Sequence, residues 1–259
     1  MTLKRRIIVR LDIKGSKLIK GIRFEGSRVI GNPCEAAYQY YLDGIDEIYY
    51  SDAVASLYGR NSLEQLLTNK CEKIFVPITA GGGIKNVEDG LKLIKAGADK
   101  VAVNTFAVKN PVLIKNLKNK FGKQCVVLSI QARRSKITTS GWEIMTEAGR
   151  ERTGLDLTEW IEKGQMLGAG EIFLTSVDKD GTRKGPDLEL IELVSKIVKV
   201  PLIVGGGFNS SEIIQRTLCE YNIDGVSIGS ALHYKDRTIN EIKETFIQEK
   251  IEIRNNIEK

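Results

Sequence analysis

The chain has 259 residues, 42% of them hydrophobic and 28% charged, which is ordinary for a globular protein and matches the size of one large α/β barrel. Its net charge of +6 is spread over helix-like segments without interleaved aromatic residues, so we expect an anionic small-molecule substrate and no nucleic acid. A single histidine, four scattered cysteines and the lack of a membrane-length apolar run argue against a zinc site and a membrane protein, so we expect a cytoplasmic chain with no metal and no cofactor.

Eight short runs rich in β-branched residues predict strands along the chain. They cover residues 7–11, 47–50, 74–79, 100–103, 125–130, 171–175, 201–204 and 225–228. Segments with a helical spacing of apolar residues lie between the runs, such as the one that Asn86 would cap. We expect the last stretch, residues 239–259, to form an exposed, charged helix.

An internal repeat organises these elements. The run VPITAGGG that begins at Val76 returns as VPLIVGGG at Val200, and the similarity extends upstream to Gly44 and Gly168. Eight strands that alternate with helices and are duplicated as four plus four predict a (β/α)8 TIM barrel built from two half-barrels. We expect one domain over residues 1–259, with a doubly wound open sheet as the alternative that the repeat disfavours.

Two glycine triplets, residues 81–83 and 205–207, follow predicted strands and precede predicted helices. Backbone amides in such loops can approach a phosphate closely, although a tight turn would also explain a single triplet. Because the two copies occupy equivalent positions, we predict one phosphate site in each half. The residues that would complete the sites, at the end of the next strand in each half, are Asn104, Thr105, Gly229 and Ser230.

Asp12 and Gln131 end the predicted first and fifth strands, and ligands bind at the carboxyl ends of strands in barrels of this class. A substrate with a phosphate at either end would place its reacting centre between these two residues. Asp12 is therefore a candidate general acid or base, although aspartate at such a position also caps helices and loops. Asp180 and Gly181 are expected to shape a turn beside a phosphate.

These features, with several further motifs, resemble those of one enzyme family. The matching segments are residues 6–8, 11–14, 81–84, 97–101, 153–154, 168–172, 174–176 and 180–182. Through them nearly the whole chain resembles the cyclase subunit of imidazole glycerol phosphate synthase, from histidine biosynthesis. The sister isomerase of that pathway shares the duplication, but residues 168–182 are more similar to the cyclase.

The resemblance implies an enzyme that takes ammonia from a partner glutaminase in a heterodimer. Ammonia would add to a bisphosphorylated ribulosyl-formimino intermediate, with ring closure to imidazole glycerol phosphate and release of aminoimidazole carboxamide ribotide. It also implies that Lys20 lies on a mobile lid, although lysine is common in loops. The implied phosphate contacts are Gly82, Gly83, Asn104 and Thr105 at one end, and Asp180, Gly181, Gly206, Gly207, Gly229 and Ser230 at the other.

The same resemblance implies a ring of four charges at the bottom of the barrel, where ammonia would enter beneath the glutaminase. The ring residues are Arg6, Glu47, Lys100 and Glu171, and Asp99 would join the partner interface. Strand parity directs most of them inward, but Glu47 and Asp52 cannot share a side without a bulge. Four unrelated solvated charges are the alternative interpretation.

The chain departs from the family pattern at its catalytic pair. The family's second catalytic aspartate is replaced by Gln131, which cannot transfer a proton, so ring closure would need Asp52, Asp178 or a water in its place. Gly205 also stands where the family usually has serine, which alters the second phosphate loop slightly.

Arg10 is the other departure, since it replaces a small residue two positions before Asp12. Parity directs it into the barrel, where it would pair with Asp12 and lower its pKa, or bind an anionic substrate group. These changes favour a diverged paralogue that delivers ammonia for amidation of a surface-polysaccharide sugar, and residues 54–61 resemble such relatives. A barrel kept only to activate a glutaminase is disfavoured by the intact Asp12 and phosphate loops.

Overall fold

The computed structural model describes residues 4–55, 63–70 and 73–248. Its strands are β1 Arg6–Lys14, β2 Lys17–Ile22, β3 Glu25–Gly31, β4 Glu47–Asp52, β5 Ile78–Gly81, β6 Lys100–Val103, β7 Val126–Arg134, β8 Trp142–Thr146, β9 Glu151–Asp156, β10 Glu171–Ser176, β11 Leu202–Gly205 and β12 Gly225–Ile228. Its helices are α1 Pro33–Leu42, α2 Leu63–Lys70, α3 Val87–Lys95, α4 Thr105–Lys109, α5 Val112–Phe121, α6 Leu157–Leu167, α7 Leu188–Ile197, α8 Ser211–Glu220, α9 Ser230–His233 and α10 Ile239–Gln248, with a 3₁₀ turn at Lys123–Cys125.

Eight of these strands close into a parallel barrel. The pairing runs β1, β4, β5, β6, β7, β10, β11 and β12, and β12 returns to β1. Helices lie between successive barrel strands, so the predicted (β/α)8 barrel is confirmed. No helix in the described ranges is long and apolar enough to cross a bilayer.

Three strand boundaries were wrong by three residues or more, since β1 and β7 continue beyond Leu11 and Ile130 to Lys14 and Arg134. The run predicted over residues 74–79 becomes a strand only at Ile78, and the strand ends at Gly81. Phe75 is exposed, and Pro77 has no N–H to donate to a ladder, so residues 74–77 remain outside the sheet although they are apolar.

Two hairpins were missed. β2 and β3 follow the first strand of one half, and β8 and β9 follow the first strand of the other. The outer strand of each hairpin is largely exposed and carries polar residues and glycine, so it lacks the alternating buried pattern that predicts strands. Both hairpins extend the barrel wall upward and stand beside its mouth.

Each barrel strand has an inner and an outer face. The inner faces contribute one apolar layer across the barrel, formed by Ile8, Tyr49, Ala102, Val127, Phe173 and Ile203. The outer faces pack against the helices in the larger core. Because side chains alternate along a strand, the residues two positions above and below this layer also face the barrel axis.

The described part of the last predicted helix, residues 239–248, differs from its prediction as an exposed element, and residues 249–259 of that prediction lie outside the described ranges. α10 buries Ile239, Ile242, Lys243 and Phe246, which recur at a helical spacing on one face. Lys243 Nζ reaches Asp46 Oδ1 at 2.7 Å and the carbonyl oxygen of Gly44 at 2.6 Å. The charged residue therefore lies inside, where it ties the last described helix to the start of β4.

His233, the only histidine of the chain, connects two elements of the barrel. Its Nε2 lies 3.0 Å from the carbonyl oxygen of Arg10, which can only accept, so Nε2 carries the proton. Its Nδ1 then accepts from the Tyr40 hydroxyl at 2.8 Å. Burial and the charge of Lys20 lower the pKa of His233 from 6.5 to about 4, which keeps the ring neutral.

This arrangement predicts a stability loss in mild acid. Between pH 6.5 and 4 the unfolded chain protonates His233 and the folded one does not, so the free energy of unfolding falls as the pH drops. His233→Gln, which keeps an N–H donor and does not titrate, should remove up to about 3 kcal/mol of that fall. Urea unfolding at a series of pH values measures it, and equal slopes for the two proteins would contradict it.

Candidate functional site

Both glycine triplets lie at the carboxyl ends of barrel strands, as predicted. Gly82, Gly83, Gly206 and Gly207 all have positive φ, between +68° and +125°. A β-carbon on Gly82 would lie 2.7 Å from the carbonyl oxygen of Asp52, and one on Gly207 would overlap the backbone of Gly185. Glycine is therefore required in both loops by conformation and by space.

Each triplet opens onto a cavity at the barrel mouth. The wall of the first cavity contains Gly82, Gly83, Asn104 and Thr105, together with Gln131. The four predicted phosphate contacts of the first half therefore share one space. Thr105 Oγ1 also accepts from the backbone N–H of Glu147 at 3.1 Å, which fixes the end of the second hairpin beside this cavity.

The second cavity brings together the predicted contacts of the other half. Its lining includes Lys20, Asp180, Gly181, Gly206, Gly207, Gly229 and Ser230. The hydroxyl of Ser230 is buried and has no hydrogen-bond partner among the described residues. An oxygen-rich ligand in this cavity would supply one.

Four charges meet between the two cavities. Asp12 accepts from Arg10 Nε at 2.8 Å and from Lys20 Nζ at 3.1 Å. Lys20 also contacts the Asp180 carboxylate at 3.0 Å. All four side chains are buried, and two positive charges balance two negative ones, as burial of charges requires. We name Arg10, Asp12, Lys20 and Asp180 the mouth cluster.

The cluster determines the protonation state of Asp12. Burial raises the pKa of Asp12, but the charges of Arg10 and Lys20 outweigh it and hold the pKa well below its usual value. The predicted Arg10–Asp12 pair and the direction of its effect are confirmed. A carboxylate held this firmly is a weak base at neutral pH, because its proton affinity has been reduced.

Arg10 also joins the barrel interior to the first hairpin. Its Nη1 donates to Thr175 Oγ1 at 3.1 Å and its Nη2 to Ser51 Oγ at 3.4 Å. The guanidinium lies 5.0 Å from the ring centre of Phe24, in the β2–β3 turn, and 5.7 Å from that of Tyr49. The hairpin is therefore closed over the mouth, and Arg10 borders both cavities.

Gln131 occupies the inner face of β7 and is only 7% exposed. Its Oε1 has no hydrogen-bond partner among the described residues and it lies in the wall of the first cavity. The two carboxylates suggested as replacements differ in position. Asp52 lines this cavity, whereas Asp178 accepts from the backbone N–H of Arg134 at 2.8 Å and lines neither cavity.

The four ring residues meet at the opposite end of the barrel. Arg6 contacts Glu47 and Glu171, each at 2.8 Å, and Lys100 contacts the same carboxylates at 2.6 and 2.9 Å. Each charge has a partner of opposite sign on both sides, so the alternative of unrelated solvated charges is wrong. Glu47, Tyr49 and Ser51 face inward on β4, whose pairing with β1 is regular and has no bulge. Asp52 therefore lies on the opposite face of the strand from Glu47.

Asp99 serves a role that the sequence did not suggest. Its Oδ2 accepts from the backbone N–H of Ile78 at 2.8 Å. Asp46 accepts a hydrogen bond from the backbone N–H of Ile7 at 2.8 Å. Asp224 accepts one from the backbone N–H of Leu202, also at 2.8 Å. Three copies of one contact indicate a structural brace at strand starts, although Asp99 remains exposed on the bottom rim.

Several site residues were missed because they carry no motif. Tyr49 and Phe173 fill the apolar layer edge to face, with ring centres 4.5 Å apart, and Tyr49 donates to Ser129 Oγ at 3.2 Å. Ser51 and Ser129 line the first cavity. Only the alternation of side chains along a strand, which directs these residues into the barrel, could have indicated them from the sequence. Within the described ranges, no group of three or more histidine, cysteine, aspartate or glutamate side chains is placed to hold a metal ion.

Comparison with known proteins gives consistent matches. The model of a family described as "Histidine biosynthesis protein" matches residues 6–238. A Legionella pneumophila protein named imidazole glycerol phosphate synthase subunit HisF is 55% identical over 208 residues, which cover 80% of this chain and 97% of the relative. Proteins of the same name from Corynebacterium diphtheriae and Streptococcus mutans are 41% and 40% identical, over 96% and 97% of this chain and 98% and 100% of their own lengths.

The mouth cluster predicts how the Asp12 carboxyl titrates. In Arg10→Met one of the two opposing positive charges is removed, so the pKa of Asp12 should rise by about one unit or more. Carboxyl-carbon NMR measures the shift. Asp156 is the internal control, since burial raises its pKa but hydrogen bonds from Thr158 and Ser140 hold it at about 2. An unchanged Asp12 pKa would show that Lys20 alone sets it.

Proposed function

The chain belongs to the histidine biosynthesis protein family, and we propose that it is an ammonia-dependent synthase of the imidazole glycerol phosphate synthase cyclase type. The observation that carries this proposal is the pair of symmetry-related glycine loops on either side of Asp12. Each loop lines a cavity at the barrel mouth, where its glycines allow the backbone to approach a ligand closely. A substrate with an anionic group at each end fits that arrangement.

In the proposed reaction the first phosphate binds at Gly82 and Gly83, beside Asn104 and Thr105. The second binds at Gly206 and Gly207, beside Gly181, Gly229 and Ser230. Asp12 then lies at the centre of the bound molecule, where it would accept or return a proton during ring closure. Lys20, held on the first hairpin by Asp12 and Asp180, closes the site over the substrate.

Ammonia is proposed to arrive through the barrel from a glutaminase partner docked at the bottom. Arg6, Glu47, Lys100 and Glu171 surround the axis there, and the apolar layer lies directly above them. Asp99, on the exposed rim, is proposed to contact the partner. The relatives' name, a synthase subunit, agrees with an assembly of this kind.

A second candidate function follows from the mouth itself. Arg10 and Lys20 hold Asp12 as a carboxylate, and Gln131 cannot move a proton, so neither residue is suited to acid–base catalysis at neutral pH. This favours addition of ammonia to a different acceptor, such as the amidation of a sugar. The stretch at residues 54–61 that resembles polysaccharide relatives lies largely outside the described residues.

Turnover with ammonium salt and the bisphosphorylated ribulosyl-formimino intermediate tests the first function. We expect slow ring closure by the unmodified chain, because one general acid or base is worth about 10² to 10⁴ in rate. Gln131→Asp restores a titratable group in the wall of the first cavity and should raise kcat. Stopped assays of the imidazole product measure both.

The outcomes separate the two candidates. A fast unmodified chain, with no gain from Gln131→Asp, would exclude the diverged acceptor. Two inactive proteins, together with a co-purified glutaminase that is stimulated by the barrel, would exclude ring closure and leave ammonia delivery to another acceptor. An inactive barrel that also leaves the glutaminase unstimulated would contradict both.

The ring of Arg6, Glu47, Lys100 and Glu171 predicts how glutamine hydrolysis by the proposed partner is coupled to the use of ammonia in the barrel. Glu171→Lys places a third positive charge beside Arg6 and Lys100, so the ring should open or distort. We expect glutamine-dependent turnover to fall at least tenfold relative to ammonium-dependent turnover. Glu151→Lys, the same charge reversal on the exposed strand β9, is the matched control. An equal effect of both variants would count against a role of the ring in ammonia transfer.

A further inference from the structure

A buried ion pair on the outside of the barrel lies far from the mouth. Lys243 of α10 and Asp46, which directly precedes β4, have side chains that are 2% and 0% exposed, and Lys243 Nζ lies 2.7 Å from Asp46 Oδ1. Apolar residues of similar size would hold a helix against a barrel equally well, because burying two charges often costs as much free energy as their attraction gains. The charges therefore indicate a task other than packing.

Asp46 connects this ion pair to the first strand of the barrel. Its Oδ2 accepts from the backbone N–H of Ile7 at 2.8 Å, and its own backbone N–H donates to the carbonyl oxygen of Ile7 at 3.1 Å. Lys243 also donates to the carbonyl oxygen of Gly44 at 2.6 Å. The segment that enters β4 is therefore held against β1 on one side and against α10 on the other.

The neighbouring residues in the chain belong to the ring at the bottom of the barrel. Arg6 precedes Ile7 and Glu47 follows Asp46, and Arg6 Nη1 lies 2.8 Å from Glu47 Oε2. Successive side chains of an extended segment point to opposite faces, so Asp46 faces α10 while Glu47 faces the barrel axis. A single peptide unit separates the outer ion pair from the inner one, so a shift of Asp46 must also move Glu47.

The other two aspartates that brace strand starts are held differently. Asp99 is exposed and Asp224 is half-buried, so water can solvate both carboxylates. Within the described ranges, only the Asp46 copy forms an ion pair with a lysine or arginine. The brace that is held most firmly is thus the one beside the contact between Arg6 and Glu47.

We propose that Lys243 and Asp46 are positioning residues for the ring, so that α10 sets the orientation of Arg6 and Glu47 from outside the barrel. Neither Lys243 nor Asp46 faces the axis, and they act only through the backbone that carries the ring. This deepens the proposed function and rests on it, because ammonia must pass the ring before its geometry can affect turnover. The last described helix is thereby a working part of the ammonia entrance.

Lys243→Met tests the proposal in the complex of the full chain with the co-purified glutaminase. The change keeps the length of the side chain and removes its charge, which leaves the buried Asp46 carboxylate without its cation. We expect glutamine-dependent turnover to fall about tenfold relative to ammonium-dependent turnover, the size of a strong coupling effect. The ammonium-dependent kcat and KM should not change, because the mouth is unaltered. An unchanged ratio of the two turnovers would overturn the proposal.

Two further variants separate positioning from a general loss of stability. When Lys243→Met is combined with Asp46→Asn, the buried site becomes neutral and the asparagine oxygen can still accept from the N–H of Ile7, so the ratio should recover. Phe246→Leu, on the same buried face of α10, should lower the midpoint of thermal unfolding and leave the ratio unchanged. A ratio that falls equally in Phe246→Leu would contradict the proposal. Lys243→Gln replaces Lys243→Met if the latter does not fold.

Hydrogen exchange of the Arg6 guanidinium, followed by NMR on the chain alone, needs neither glutaminase nor substrate. The Nη groups of Arg6 are paired with Glu47 and Glu171, and looser pairing in Lys243→Met should make their exchange with water about tenfold faster. Unchanged exchange would reject the positioning. Faster exchange, in a protein whose unmodified complex shows no glutamine-dependent turnover, would reject the ammonia route of the proposed function and support the positioning.

Discussion

Every charged side chain on the axis of this barrel must find its partner inside the barrel, because the closed sheet and its helices exclude water from the walls. The interior therefore divides into levels that are each balanced. The bottom ring has two positive and two negative charges, the apolar layer has none, and the mouth cluster again has two of each. The positions of Arg10 and Glu47 follow from this requirement.

The duplication explains why the two glycine loops match each other while the central pair of side chains does not. Both halves provide a strand, a glycine loop and a following strand, and both insert a hairpin after their first strand. These parts depend on backbone conformation, which the repeat preserves. The central pair depends on two side chains, Asp12 and Gln131, which are no longer equivalent. One is a carboxylate fixed by two cations, and the other is a neutral amide with a vacant acceptor.

The sequence predicted what depends on local spacing. The eight barrel strands, both glycine loops and the inward direction of Arg10 were foreseen, because strand period and glycine position are visible in the chain. The hairpins were not, since their outer strands are exposed and carry polar residues. The burial of Lys243 was missed because its partner Asp46 is distant in sequence. The shared position of Tyr49, Ser51 and Ser129 in the wall of the first cavity follows only from the pairing of the strands.

The apolar layer determines whether nitrogen can cross the barrel as ammonium or only as neutral ammonia. Tyr49 and Phe173 meet edge to face across it, with cations both below, at Arg6 and Lys100, and above, at Arg10. An ammonium ion would have to lose its hydration shell to cross this uncharged layer, whereas neutral ammonia carries no charge to desolvate. Under the proposed delivery of ammonia through the barrel, nitrogen that crosses this layer leaves one proton behind below it. Bond formation at the mouth then starts from the free base, and the protons lost afterwards must leave by the top of the barrel.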